Sequence, residues 1–172
     1  AARPAYEASL DAYPRGASGA RAAWGVMRTG RVDSGQALRS ARILDRAREN
    51  HQALQAYERH LAALPEAVQP EPTVQLARAR LLSAVGRHET AVVEFRKLVE
   101  TDDPMFELRV LDQWRRARSR QGRRDAVRTI ERWIIERYPE SREAVDIVVS
   151  QANSALSRGT YAEAAAGFER AI

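Results

Sequence analysis

From about Ser34 onward, apolar residues fall three and four apart, with charged residues filling the positions between them. That period predicts amphipathic helices, and no stretch alternates as a strand would. A longer period is laid over the short one. Ala53, Ala91, Ala126 and Ala164 are separated by 38, 35 and 38 residues, and four residues after each comes a large apolar side chain: Tyr57, Phe95, Ile130 and Phe168. One helical turn separates the members of each pair, so both lie on one face. His60, Leu98, Trp133 and Ala171, seven after the alanines, mostly extend the same stripe.

A partner helix precedes each alanine. Nine residues before lie Leu44, Leu82, Ala117 and Ala155, and twelve before lie Ala41, Ala79, Trp114 and Ala152, three of them small enough for close helix–helix contact. Gly86, Gly122 and Gly159 mark the turns between the paired helices, while the first pair uses Glu49–Asn50, with Asn50 expected as an N-cap. Pro65, Pro104 and Pro139 are expected to end the second helix of each pair, because proline lacks the N–H of the ladder and restricts the residue before it. Residues 1–33 are less regular. A short helix over Ala5–Tyr13, stopping at Tyr13–Pro14, and a second over Ser18–Thr29 predict an irregular hairpin that begins the stack, with a turn and N-cap near Asp33–Ser34–Gly35.

Two antiparallel helices per unit, with Ala-x3-aromatic in the second and proline after it, resemble the tetratricopeptide repeat. The clearest stretches are GTYAEAAAGFERAI (159–172) and GRHETAVVEFRKL (86–98). The resemblance implies an all-α, right-handed solenoid of about ten helices, with repeats over 34–66, 72–104, 105–139 and 140–172 behind the N-terminal hairpin. Three features depart from the pattern: two spacings are four residues too long, Arg48 stands in place of the first turn glycine, and Trp114 sits where a small residue is expected. The stretch ERYPESREAVDIVVSQANSALSRGTYAEAAAGFERAI (136–172) is further similar to bacterial cell-envelope repeat proteins, including the superhelical N-terminal regions of soluble lytic transglycosylases. That likeness implies a periplasmic or envelope location, with the cytoplasm as the alternative. It also implies a peptidoglycan-cleaving domain beyond Ile172, and an open apolar end face around Phe168 that self-associates or is covered by downstream sequence.

Composition narrows the chemistry. The 172 residues are 44% hydrophobic and 30% charged and contain no cysteine, which removes disulfides, cysteine-ligated zinc and thiol catalysis. The chain opens on Ala1, as a processed or excised product would, and no apolar run is long enough for a membrane span. His51, His60 and His88 form no HExxH or i,i+4 pair, and no phosphate-cradling glycine loop occurs, so no metal and no cofactor are expected. His60 is expected as a packing residue. Asp102–Asp103 reads as turn chemistry before Pro104. Glu140–Ser141 resembles the Glu-Ser that opens the transglycosylase catalytic motif, but it lies between repeats and the later catalytic motifs are missing. The chain as given is therefore expected to be non-catalytic.

Charge supplies the remaining candidates. The net charge is +5, and of 28 basic residues only Lys97 is lysine, a bias typical of GC-rich bacterial coding. Arg116, Arg120, Arg123 and Arg124 crowd one helix end, its turn and the next helix start, a candidate basic patch that also suits the dipole at a helix C-terminus. Eleven residues before the repeat alanines stand Arg42, Arg80, Arg115 and Asn153. In a tetratricopeptide hairpin that place faces the concave groove, so these four are the candidate groove residues for an acidic protein or peptide partner, each contact a charge-assisted hydrogen bond. A nucleic-acid-binding module is the last-ranked alternative, since no aromatic residues interleave the basic ones.

Overall fold

The structure, a computed structural model, describes residues 3–12, 16–30, 32–99 and 101–171. Among them are ten helices and no strand: α1 (Arg3–Ala12), α2 (Gly16–Arg28), α3 (Ser34–Arg46), α4 (Asn50–Ala62), α5 (Pro72–Ala84), α6 (His88–Val99), α7 (Pro104–Arg120), α8 (Arg124–Arg137), α9 (Arg142–Ser157) and α10 (Tyr161–Glu169). None is long and apolar enough to cross a membrane. The expected stop at Tyr13–Pro14 lies outside the described residues.

The chain divides into two units, Ala1–Leu98 and Val99–Ile172. In the first, α1 packs on α2, α2 on α3, α3 on α4 and α4 on α5. An Arg78–Glu94 ion pair at 3.2 Å ties α5 to α6, and the Arg87 N–H donates to the Leu82 carbonyl at 2.8 Å across their turn. In the second unit, α7 packs on α8, α8 on α9 and α9 on α10.

Local chemistry sets the helix ends. Asp33 caps α3 with a reciprocal capping box: its Oδ1 accepts from the Gln36 N–H at 2.8 Å, and the Asp33 N–H faces Gln36 Oε1 at 3.4 Å. Asp103 accepts from the Met105 and Phe106 N–H groups at the start of α7. Ser141 caps α9 by accepting from the Ala144 N–H at 3.1 Å. The Glu140–Ser141 pair is thus helix-start chemistry.

Two expected boundaries differ. Glu49, not Asn50, is the N-cap of α4, and it makes no side-chain capping bond. The turn before it is closed instead by backbone, the Glu49 N–H donating to the Leu44 carbonyl at 3.0 Å. Pro104 does not end α6, which stops at Val99; it opens α7, where a fixed φ and a missing N–H cost nothing. In the α3–α4 turn Arg48 takes φ 62°, the left-handed conformation that glycine holds in the later turns, as Gly86 does at φ 86°. The backbone demand is the same there, and Arg48 meets it at a steric cost.

The repeat positions form the core. Ala53, Ala91 and Ala164 are buried, as are Tyr57, Phe95 and Ile130 one turn on, and Ala41, Ala79, Ala152, Leu44, Leu82, Ala117 and Ala155 on the partner helices. Phe168 is only half-buried, and Leu156 and Tyr161 of the same pair of helices are exposed. The α7–α8 pair departs from the rule. Trp114 is buried where a small residue stands elsewhere, its ring centroid 6.0 Å from that of Trp133 in a tilted arrangement. Two indoles need more room than an alanine contact leaves, and Ala126 is accordingly only half-buried. His60 packs at 7% exposure with Nδ1 2.7 Å from the Ser34 hydroxyl and 2.9 Å from its carbonyl, joining the end of α4 to the start of α3.

α10 approaches α9 closely at Gly167, where an added Cβ would stand 2.8 Å from Ala152 Cβ and 3.4 Å from its Cα. Gly167→Ala should therefore destabilise the protein. The helices must separate, at an overpacking cost of about 1–3 kcal/mol, against about 1 kcal/mol gained from helix propensity. Urea unfolding checks this: a variant as stable as the parent, or more so, would contradict the close approach.

Candidate functional site

The four candidate groove residues reach different surroundings. In the first unit, α3 supplies Arg42, Asp45 and Arg46, and α5 supplies Arg80. The Arg80 guanidinium is hydrogen-bonded to both carboxylate oxygens of Asp45, with both side chains partly shielded. Arg42, half-exposed, lies 3.5 Å from Glu71, the residue just before α5. Asp45, Arg42, Arg80 and Arg46 all act on Tyr57 of α4. Burial, with the Asp45 carboxylate adding to it, pushes the Tyr57 phenol above its usual value of 10.0, while the charges of Arg42, Arg80 and Arg46 pull it back. The phenol therefore keeps its proton to higher pH than a free tyrosine does. Arg46 is exposed to solvent.

These contacts make a titration expectation. A phenol whose folded pKa lies above its unfolded value contributes stability that is present in full below about pH 10 and is lost as pH rises through the folded value. The parent protein should therefore lose thermal stability above about pH 10 more steeply than Tyr57→Phe, which has no proton there to release. Melting followed by circular dichroism across that range checks the difference. Superimposable slopes would remove Tyr57 from the account.

In the second unit Arg115 turns to carboxylates of its own surroundings: Asp112 at 2.9 Å, one turn earlier on α7, and Glu131 of α8 at 3.7 Å. Arg116 also binds Asp112, at 2.7 Å, and Gln151 of α9 donates to Glu131 at 3.3 Å. This network joins α7, α8 and α9 and occupies Arg115 with structural work. Asn153 is exposed on α9, and its carbonyl accepts from the Ser157 hydroxyl. Of the candidate basic patch, Arg116 is ion-paired as above, whereas Arg120, Arg123 and Arg124 are exposed around the α7–α8 turn. Arg118 beside them donates to Gln121 at 3.0 Å.

The charge is unevenly shared. Residues 1–98 hold fifteen basic and ten acidic side chains, and residues 99–172 hold thirteen of each, so the whole net charge of +5 belongs to the first unit. The first unit therefore carries a net positive field, to which its local arginines contribute. What sequence reasoning missed is the partners of the arginines: Asp45, Glu71, Asp112 and Glu131. One signal was available, because Arg42, Asp45 and Arg46 are spaced three and four apart and share a helix face. Among the described residues no cluster of His, Asp and Glu has the makings of a metal site.

No protein-family model matches the chain, and no curated protein matches its sequence.

Proposed function

We propose that the chain is a non-catalytic binding scaffold of the tetratricopeptide type, a right-handed stack of helix pairs that captures a carboxylate-bearing protein or peptide. The observation that carries this reading is the grouping of Arg42, Arg46 and Arg80 within electrostatic reach of the buried Tyr57, with Asp45 held by Arg80. Asp45 engages Arg80, which leaves Arg46 and the solvent-exposed part of Arg42 to meet a ligand. Guanidinium groups bind carboxylates through paired N–H donors, and helices hold them at fixed separation, which suits a run of acidic side chains on a partner. The recurrence of arginine at the same place in successive repeats supports the same reading.

Capture from a bacterial envelope extract tests it. The parent protein should retain a partner that Arg42→Glu with Arg46→Glu loses, at unchanged helical circular dichroism, and the retained partner should elute as salt rises. Equal recovery of every partner by both proteins would defeat the proposal.

A further inference from the structure

The second unit carries a surface of its own. Between α8, α9 and α10 lies an open groove of about 810 Å³, within the size range of sites that enclose a small ligand or a short peptide stretch. Three arginines line it, each from a different stretch of chain: Arg128 on α8, Arg158 at the end of α9 and Arg170 at the end of α10. All three are exposed, and among the described residues Arg128 and Arg170 engage no carboxylate. Two glutamates share the lining, and their positions differ. Glu131 is withdrawn from a ligand by Arg115 and Gln151. Glu163 meets Arg158 only at 3.9 Å, with both side chains about two-thirds exposed, too open a pair to hold that guanidinium closed. The groove is therefore electropositive although its unit carries no net charge.

Its wall between the arginines is small. Ala152 and Ala155 are buried in it, and Gly167 lets α10 lie directly against α9. Those three positions are taken up by the α9–α10 contact itself, and the small residues of the lining that face solvent are Ser150, Ser154 and Ala166. Two of the three arginines sit at helix C-caps, where a cation also complements the dipole. That accounts for the residue type at Arg158 and Arg170, but not for Arg128, which lies in the first half of α8.

We infer that this groove binds an acidic peptide segment, its carboxylates taken by Arg128, Arg158 and Arg170 and its backbone lying over the exposed small residues Ser150, Ser154 and Ala166. Extended nucleic acid fits less well. A single strand draws much of its affinity from bases stacked on aromatic side chains, and no aromatic residue lines the groove.

The test uses the full chain carrying Arg42→Ala and Arg46→Ala, so that the first-unit arginines do not contribute. The probe is a fluorescein-labelled peptide of alternating Glu and Ala, about eight residues long, followed by anisotropy at low salt. Saturable binding is expected, and adding Arg128→Ala and Arg170→Ala should weaken it by about tenfold or more. The same peptide with Gln for Glu should not bind. Three results would overturn the inference: no binding in the Arg42/Arg46 background, unchanged affinity after loss of Arg128 and Arg170, or a single-stranded oligothymidylate of equal charge binding as tightly as the peptide. If the peptide binds the parent and not the Arg42/Arg46 background, the first-unit site stands and the groove falls.

Discussion

Truncation of Phe95 to alanine is expected to cost about 3–5 kcal/mol, a large share of the roughly 5–15 kcal/mol that holds a domain folded. Phe95 is the largest fully buried side chain, at 0% exposure, and it stands on the face of α6 that also buries Ala91, Val92 and Leu98. The opposite face carries Glu89, Val93, Arg96 and Lys97 in solvent. Removing the ring forfeits its transfer free energy and leaves a void that packed helices close only in part. Val93→Ala is the internal control. Val93 is two residues away on the same helix but 48% exposed, and should cost no more than about 0.5 kcal/mol. Urea titrations of the two variants give the comparison, with the midpoint shifting at unchanged slope for a loss confined to the native core. Similar costs for the two would mean that the repeat stripe does not mark the packed face.

The same stripe shows how much of the structure was legible beforehand. Small and large apolar residues four apart specify which face of a helix is buried, and Ala53–Tyr57 and Ala91–Phe95 obey the rule because it needs only local geometry. Ala126–Ile130 obeys it only in part. The bulk of Trp114 and Trp133 sets the distance between α7 and α8, and no spacing rule in one helix reports the volume facing it from another. Turn backbone was legible from glycine at Gly86 and Gly122 but not at Arg48, where a side chain occupies the same left-handed conformation. Position eleven before each alanine marked Arg42, Arg80 and Arg115 as candidates. What became of each guanidinium was decided by a carboxylate elsewhere: Asp45, 35 residues before Arg80, and Glu131, 16 after Arg115. Spacing supplies the helix face, whereas pairing depends on which helices become neighbours. The exposed arginines of the α8–α10 groove were missed for a related reason. Arg128, Arg158 and Arg170 occupy unrelated repeat positions, and only packing brings them to one surface.

Replacing Arg80 with alanine should destabilise the protein by about 1–3 kcal/mol, less than the loss of a partner in a fully buried ion pair because water still reaches both groups. The Arg80 and Asp45 side chains are 29% and 19% exposed, and the guanidinium holds both carboxylate oxygens. Its removal leaves a shielded anion beside the Tyr57 phenol, whose proton is held first by burial and then by that same charge. Arg80→Asp should cost more, since it sets two carboxylates against each other. The reversed pair, Asp45→Arg with Arg80→Asp, should regain much of the loss, because the attraction depends on opposite signs and not on which helix carries which. The interaction energy from the double-mutant cycle measures that recovery, and a cycle that closes with no coupling would deny the pair any structural weight. The same four proteins separate structure from binding. The reversed pair keeps the number of arginines at the site but moves one guanidinium from α5 to α3. If stability and partner capture return together, Arg80 serves the site by holding Asp45. If stability returns alone, the ligand reads the guanidinium from its position on α5, and Arg80 belongs among the contacting residues.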